Sequence, residues 1–141
     1  MKRGFTCGSF DLLHAGHILM LKEAKSVCDY LIVGLQTDPS VDRCHKNKPI
    51  QSIRERLIQI SAVKYVDEVM VYETEEELYN LLTELKPDLR ILGADHENKE
   101  FTGHDLDIEL YFNSRNHKWS SSELRARIHE HEAWRFSKEK I

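Results

Sequence analysis

The sequence has no apolar run approaching the roughly 20 residues that a membrane-spanning helix needs. A run such as Tyr30-Leu31-Ile32-Val33-Gly34-Leu35 is far too short, so no membrane partner is expected. Met1 to Gly8 lacks the apolar stretch of a secretory signal, and the expected location is the cytoplasm. Cysteine is sparse: Cys7, Cys28 and Cys44 are odd in number and lack zinc-finger spacing. They read as free thiols in a reducing compartment. Pro39, Pro49 and Pro87 are isolated, so no proline-rich linker divides the chain, and no internal repeat is present. Positive charge is in deficit, with 20 Lys+Arg against 24 Asp+Glu and a net charge of −4. That balance argues against a protein that grips nucleic acid over its whole surface. At 40% hydrophobic and 31% charged residues, the chain is neither collagen-like nor wholly disordered. Its 141 residues fit one domain, expected over 1–131, followed by a short polar tail at 132–141.

What is present alternates in period. Lys2 to Cys7 is β-capable, and Gly8 follows it. Ile18, Leu19, Leu21, Ala24 and Val27 are spaced as one face of a helix over 14–27. The run at 30–35 reads as a buried parallel strand. Ser52 with Glu55 forms a capping box for a helix through Leu57, Ile58, Ile60 and Ala62. A strand is predicted at 68–72. Thr74 with three glutamates then opens a helix that Pro87 stops. Strands at 89–93 and 108–112 flank a polar loop at 94–107, and Ser120-Ser121-Ser122 precedes a last helix. Strand and helix in alternation predict a Rossmann-like, doubly wound α/β fold. It would be a mainly parallel five-stranded sheet with helices on both faces.

The most informative segment is Cys7-Gly8-Ser9-Phe10-Asp11-Leu12-Leu13-His14-Ala15-Gly16-His17, between the first strand and first helix. Open α/β sheets bind ligands outside the carboxyl ends of their strands. Gly8 permits a tight turn, and a helix N-terminus offers unpaired N–H groups to an anion. His14 and His17 are three residues apart on one side of a helical turn, with Gly16 leaving room between them. A His-x-x-His pair alone is often only polar surface, and metal binding would call for a pattern such as HExxH, which is absent. With the strand, turn and helix around it, the pair points to a polyphosphate.

Gly8-x-Phe10-Asp11-x-x-His14-x-Gly16-His17 resembles the signature of the HxGH nucleotidyltransferases, and within them the cytidylyltransferase family. The similarity extends over about residues 4–128 of the proposed domain. Further matches are Thr37-Asp38, Lys48-Pro49 with Arg56, Tyr65-Val66-Asp67-Glu68-Val69, Gly93-x-Asp95, and Arg115 with Ser120-Ser121-Ser122. One motif departs. Where that family reads Arg-Thr-x-Gly-Ile-Ser, this chain has Asn116, Lys118 and Trp119 in place of Thr, Gly and Ile. The HxGH opening is shared with FMN adenylyltransferases and ADP-heptose synthetases.

The resemblance implies nucleotidyl transfer with release of pyrophosphate, CTP favoured over ATP, to a small phosphorylated alcohol or polyol such as glycerol 3-phosphate. The alternatives are an ATP-using adenylyltransferase and a non-catalytic nucleotide-binding protein. His14, His17, Lys46, Lys48 and Arg115 are the implied catalytic residues. Gly8, Ser9, Phe10, Asp11, Gly16, Asp95 and Ser120 to Ser122 join the histidines and Arg115 around the nucleotide. Asp11, Asp38, Lys48 and Arg56 are implied on the acceptor side. Asp95 has a second reading as a local loop contact, and one serine as a plain helix cap. No metal site in the protein is expected; Mg²⁺ travels with the triphosphate. A homodimer is implied, with 65–69 near its interface.

The charge is unevenly spread. Residues 43–56 hold five basic groups and one acid, and 113–127 hold four and one. Residues 66–110 hold fourteen acids and three basic groups. Positive charge therefore concentrates in the segments expected to meet phosphate, and a local field can attract an anion against the net sign.

Overall fold

A computed structural model describes residues 1–139. Five strands form one all-parallel sheet in the order β3-β2-β1-β4-β5. They are β1 (Arg3–Gly8), β2 (Tyr30–Gln36), β3 (Glu68–Tyr72), β4 (Leu89–Leu92) and β5 (Glu109–Phe112). Four helices alternate with them: α1 (Ala15–Ser26), α2 (Ile53–Ser61), α3 (Glu75–Leu85) and α4 (Ser121–Glu139). The predicted architecture and the type of these strands and helices agree with this arrangement; the predicted loop at 94–107 also contains a short 3₁₀ turn, Ala94–His96.

Residue alternation explains the layers. Successive strand side chains point to opposite faces. Leu31, Val33 and Leu35 pack with Leu21 and Ala24 of α1 and Ile60 of α2. Phe5 and Ile32 pack on the other face with Leu78 and Leu82 of α3. Ser52 caps α2 by accepting from the Glu55 N–H, while Glu55 reaches back to the Ser52 N–H. Thr74 caps α3. At its far end Lys86 turns into the left-handed region, φ 47°, just before Pro87.

The predicted polar tail is different in the structure. Residues 132–139 continue α4, and only 140–141 lie outside the described residues. Glu, Ala, Arg and Lys favour helix, and Arg135 pairs with both Glu132 and Glu139 one turn away on either side. Among the described residues, no helix is long and apolar enough to cross a membrane.

One detail of the sheet positions the site. β1 and β4 pair only at Gly4↔Leu89 and Phe5↔Arg90. Beyond these pairs the two strands separate. This is also where the strand order reverses, since β2 lies on one side of β1 and β4 on the other. Such a switch point opens a crevice at the carboxyl edge of the sheet.

Candidate active site

The loop from β1 to α1 carries backbone strain. Phe10 (φ 48°) and Leu12 (φ 52°) both occupy the left-handed region, which disfavours residues with a Cβ. Burial of Phe10 holds the loop in place. So does Asp11, whose carboxylate accepts from the Ile50 and Gln51 N–H groups, both at 2.9 Å, and from Arg125 at 3.0 Å. Burial alone would raise the Asp11 pKa; the two backbone N–H donors and Arg125 outweigh it and hold it low. Asp11 therefore ties together three remote segments.

That loop delivers His14 and His17 to the start of α1. The Nδ1 of His14 accepts from the Gly16 N–H at 3.0 Å, and the Nδ1 of His17 accepts from the His14 N–H at 3.2 Å. The two imidazoles thus form a capping box. Because each Nδ1 is an acceptor, each Nε2 must carry the proton in the neutral ring. Burial is the leading cause that lowers both pKa values, with His117 adding to it at His14 and His14 at His17. His17 falls to about 4. Both rings are neutral Nε2–H donors at pH 7, their centroids 3.9 Å apart.

Gly16 is required by crowding. A Cβ there would lie 2.9 Å from His14, His117 and the Trp119 carbonyl oxygen alike. The segment before α4 thus closes directly over the HxGH turn. Ser121 Oγ lies 3.2 Å from His14 Nε2. Ser120 is the helix cap, accepting from the Glu123 N–H at 3.1 Å. Both serines line a first cleft of about 520 Å³ with His14, His17, Asp95 and Arg115. Ser122 is exposed and lies outside it.

Glu23 sets the far wall of this cleft. It accepts from Tyr111 Oη at 2.8 Å, the Ser114 N–H at 3.0 Å and Ser114 Oγ at 2.9 Å. These bonds fasten the chain after β5 onto α1. Arg115 follows with φ 43°, and the His117 and Trp119 rings stack at 5.7 Å and 27°.

A second cleft of about 1010 Å³ opens beside the first. Gly8, Ser9, Arg43, Lys46 and the buried Arg90 line it. Arg43 bonds Gln36 at 2.9 Å and Glu75 at 2.8 Å. Arg90 donates to the Thr102 carbonyl and lies over the Phe101 ring, while its Nε has no partner among the described residues. Met20, Gly93 and Asn113 border both clefts.

The expected site residues therefore separate. His14, Gly16, His17, Asp95, Arg115, Ser120 and Ser121 surround the first cleft, and Gly8, Ser9 and Lys46 the second. Phe10, Asp11, Asp38, Lys48 and Arg56 line neither. Lys48 is exposed. Asp38 accepts from the Ser40 hydroxyl at 2.6 Å and the Ser40 N–H at 2.9 Å, a local loop turn. Arg56 is only 2% exposed. It donates to the carbonyls of Gln51, Ser9, Gln36 and Thr37, and so clamps the loop and the end of β2 onto α2. Sequence reasoning missed Arg125, Glu23, Arg90 and Asn113. The first two act over 114 and 91 residues of separation, for which no local pattern exists.

Known proteins resemble the chain in the same way. The family model described as cytidylyltransferase-like matches residues 5–127. The Bifunctional protein HldE of Wolinella succinogenes is 45% identical over 107 residues, 75% of this chain and 22% of that protein. The Bifunctional protein HldE of Helicobacter pylori is 39% identical over 125 residues, 88% of this chain and 27% of that protein. The chain thus spans about a quarter of the length of these curated relatives. A crystal structure of the lipopolysaccharide core biosynthesis protein from Thermoplasma volcanium superposes with a TM-score of 0.67 at 30% identity. It covers 85% of this chain and 99% of that one. Pantothenate synthetase from Thermus thermophilus, at 13% identity and a TM-score of 0.54, shares the fold over 80% of this chain and 55% of its own. The family match contains both histidines, both cleft serines and the helix starts that carry them, and it makes this chain a member of the cytidylyltransferase-like family of nucleotidyltransferases.

Proposed function

We propose that the chain transfers a nucleoside monophosphate from a triphosphate to a small phosphorylated sugar or polyol. The observation that carries this reading is the meeting of two clefts at the switch point. One is faced by two imidazole Nε2–H donors and the start of α4, the other by Arg43, Lys46 and Arg90. In this reading the triphosphate occupies the first cleft and the acceptor phosphate enters from the second. An acceptor oxygen attacks the α-phosphorus, a new P–O bond forms, and the bond to the bridging oxygen breaks to release pyrophosphate. A phosphate acceptor is already a nucleophile at pH 7, so the chain's task is alignment and charge stabilisation. His17 and His14 donate to phosphate oxygens without carrying a charge that must be neutralised. Arg115 adds charge-assisted bonds, and the α4 N-terminus favours the β- and γ-phosphates. Mg²⁺ carried by the triphosphate would offset further negative charge. Asp11, a candidate to orient the acceptor or a metal-bound water, has its carboxylate oxygens engaged by Ile50, Gln51 and Arg125.

The proposed donor is ATP rather than CTP. Three features support it: the departure at Asn116, Lys118 and Trp119, the resemblance of the opening motif to ADP-heptose synthetases, and the His117–Trp119 pair. That pair offers an aromatic surface wide enough for a purine. The proposed acceptor is a sugar phosphate. A second cleft of about 1010 Å³ is large for glycerol 3-phosphate, and one solved relative is a lipopolysaccharide core biosynthesis protein. CTP with glycerol 3-phosphate is the second reading, carried by the family match. A cytoplasmic setting and a homodimer through Tyr65–Val69 belong to the same proposal. A matrix of ATP and CTP against sugar phosphates and glycerol 3-phosphate, read by pyrophosphate release, tests it. The expected result is release with ATP and a sugar phosphate. Release confined to CTP would overturn the donor, and release confined to glycerol 3-phosphate would overturn the acceptor.

A further inference from the structure

Asn113 has a side chain with no evident task inside the protein. It is 5% exposed, yet among the described residues neither its Nδ2 nor its Oδ1 has a hydrogen-bond partner. A buried amide left unpaired destabilises the folded chain, because each group gives up its hydrogen bonds to water without replacement. Its backbone is ordinary, with the N–H donating to the Leu92 carbonyl at 2.8 Å. The strain of position therefore falls wholly on the amide, which borders both clefts next to Gly93.

We propose that Asn113 binds the ribose hydroxyls of the nucleotide donor and makes the enzyme selective for ribonucleotides. The inference rests on the first cleft being the nucleotide site. Three features carry it. The first is chemical. A phosphate only accepts hydrogen bonds and would leave Oδ1 unpaired; a hydroxyl pair both donates and accepts, and so satisfies both amide atoms. This holds whichever way the amide is turned. The second is its placement. Tyr111 lies in β5 and Asn113 directly follows the strand's last residue, Phe112. Tyr111 packs with the cluster of Leu21 and Ala24 and bonds Glu23 of α1. Asn113, just past Tyr111, lines the first cleft beside His14 and His17 as well as the second. The third is the neighbour. A Cβ on Gly93 would lie 2.7 Å from Asp95 Oδ1. The absence of one leaves Asn113 and Asp95 facing the same space, a donor–acceptor pair beside a carboxylate acceptor. That set suits a vicinal diol.

The test is calorimetric binding of ATP, CTP and their 2′-deoxy and 3′-deoxy forms to the full chain and to Asn113→Ala and Asn113→Leu. The wild type is expected to prefer at least one ribonucleotide over its deoxy form by roughly 10- to 100-fold. Both variants are expected to reduce that preference to within about twofold. Their thermal midpoints without ligand should equal or exceed that of the wild type, because an orphaned amide has been removed. A wild type indifferent to the missing hydroxyl would overturn the proposal, as would variants that keep the full preference. A variant whose midpoint falls sharply would also count against it, by showing that the amide serves the fold. Failure of the wild type to bind any nucleotide would instead contradict the assignment of the first cleft.

Discussion

At the scale of single residues, direction decides what a charge or an imidazole does. His14 and His17 are polar, close to solvent and next to each other, yet burial keeps both neutral, with His117 adding to it at His14 and His14 at His17. The sign of the stability effect follows. His17 falls from its ordinary 6.5 to about 4 on folding. Between those values the unfolded chain binds more protons, so stability is complete above about pH 6.5 and declines as pH falls toward 4. Thermal midpoints measured from pH 7 to pH 4 should fall, and His17→Asn should flatten part of that slope. Arg56 teaches the opposite lesson. Its place in a basic segment implied a substrate contact, but its guanidinium bonds four backbone carbonyls. A count of basic residues cannot say whether a side chain faces out or in. Arg56→Met should lower stability by about 3 kcal/mol, because buried carbonyls lose their donor. Chemical denaturation measures this loss directly.

At the scale of elements, most of the structure was legible. Period and caps together identified all five strands and four helices. Ser52 and Glu55 form the capping box that their spacing predicts, and Thr74 caps α3. The exception is the end of α4. Residues 132–139 carry little apolar pattern, and charge pairs a turn apart extend the helix where no buried face is present. What the sequence could not show is how elements are fastened to each other. The wall of the first cleft depends on Glu23 of α1 holding Ser114, and a glutamate in a helix has no local mark of such a task. Glu23→Ala should release the segment after β5. The expected outcome is a nucleotide KM raised about tenfold, with kcat changed much less. Equal losses in both constants would instead place Glu23 in the transition state.

For the whole molecule, a net charge of −4 gave a poor guide to the ligand, and the distribution of charge a better one. The folded chain brings the two basic segments together. Arg43 and Lys46 border the second cleft and Arg115 the first, while Arg125 supports the loop between them. The HxGH motif was legible because strand, turn and helix follow in immediate succession. The crevice between β1 and β4 was not, because it arises from strand order and from pairing that stops at Phe5 and Arg90. Catalysis in this account depends on neutral imidazoles aimed at phosphate across that crevice. The most direct test is the rate of pyrophosphate release by the wild type and by His17→Ala, at saturating ATP and sugar phosphate, with circular dichroism confirming equal folding. The predicted result is a fall in kcat of at least about 100-fold in the variant. An undiminished rate would contradict the account.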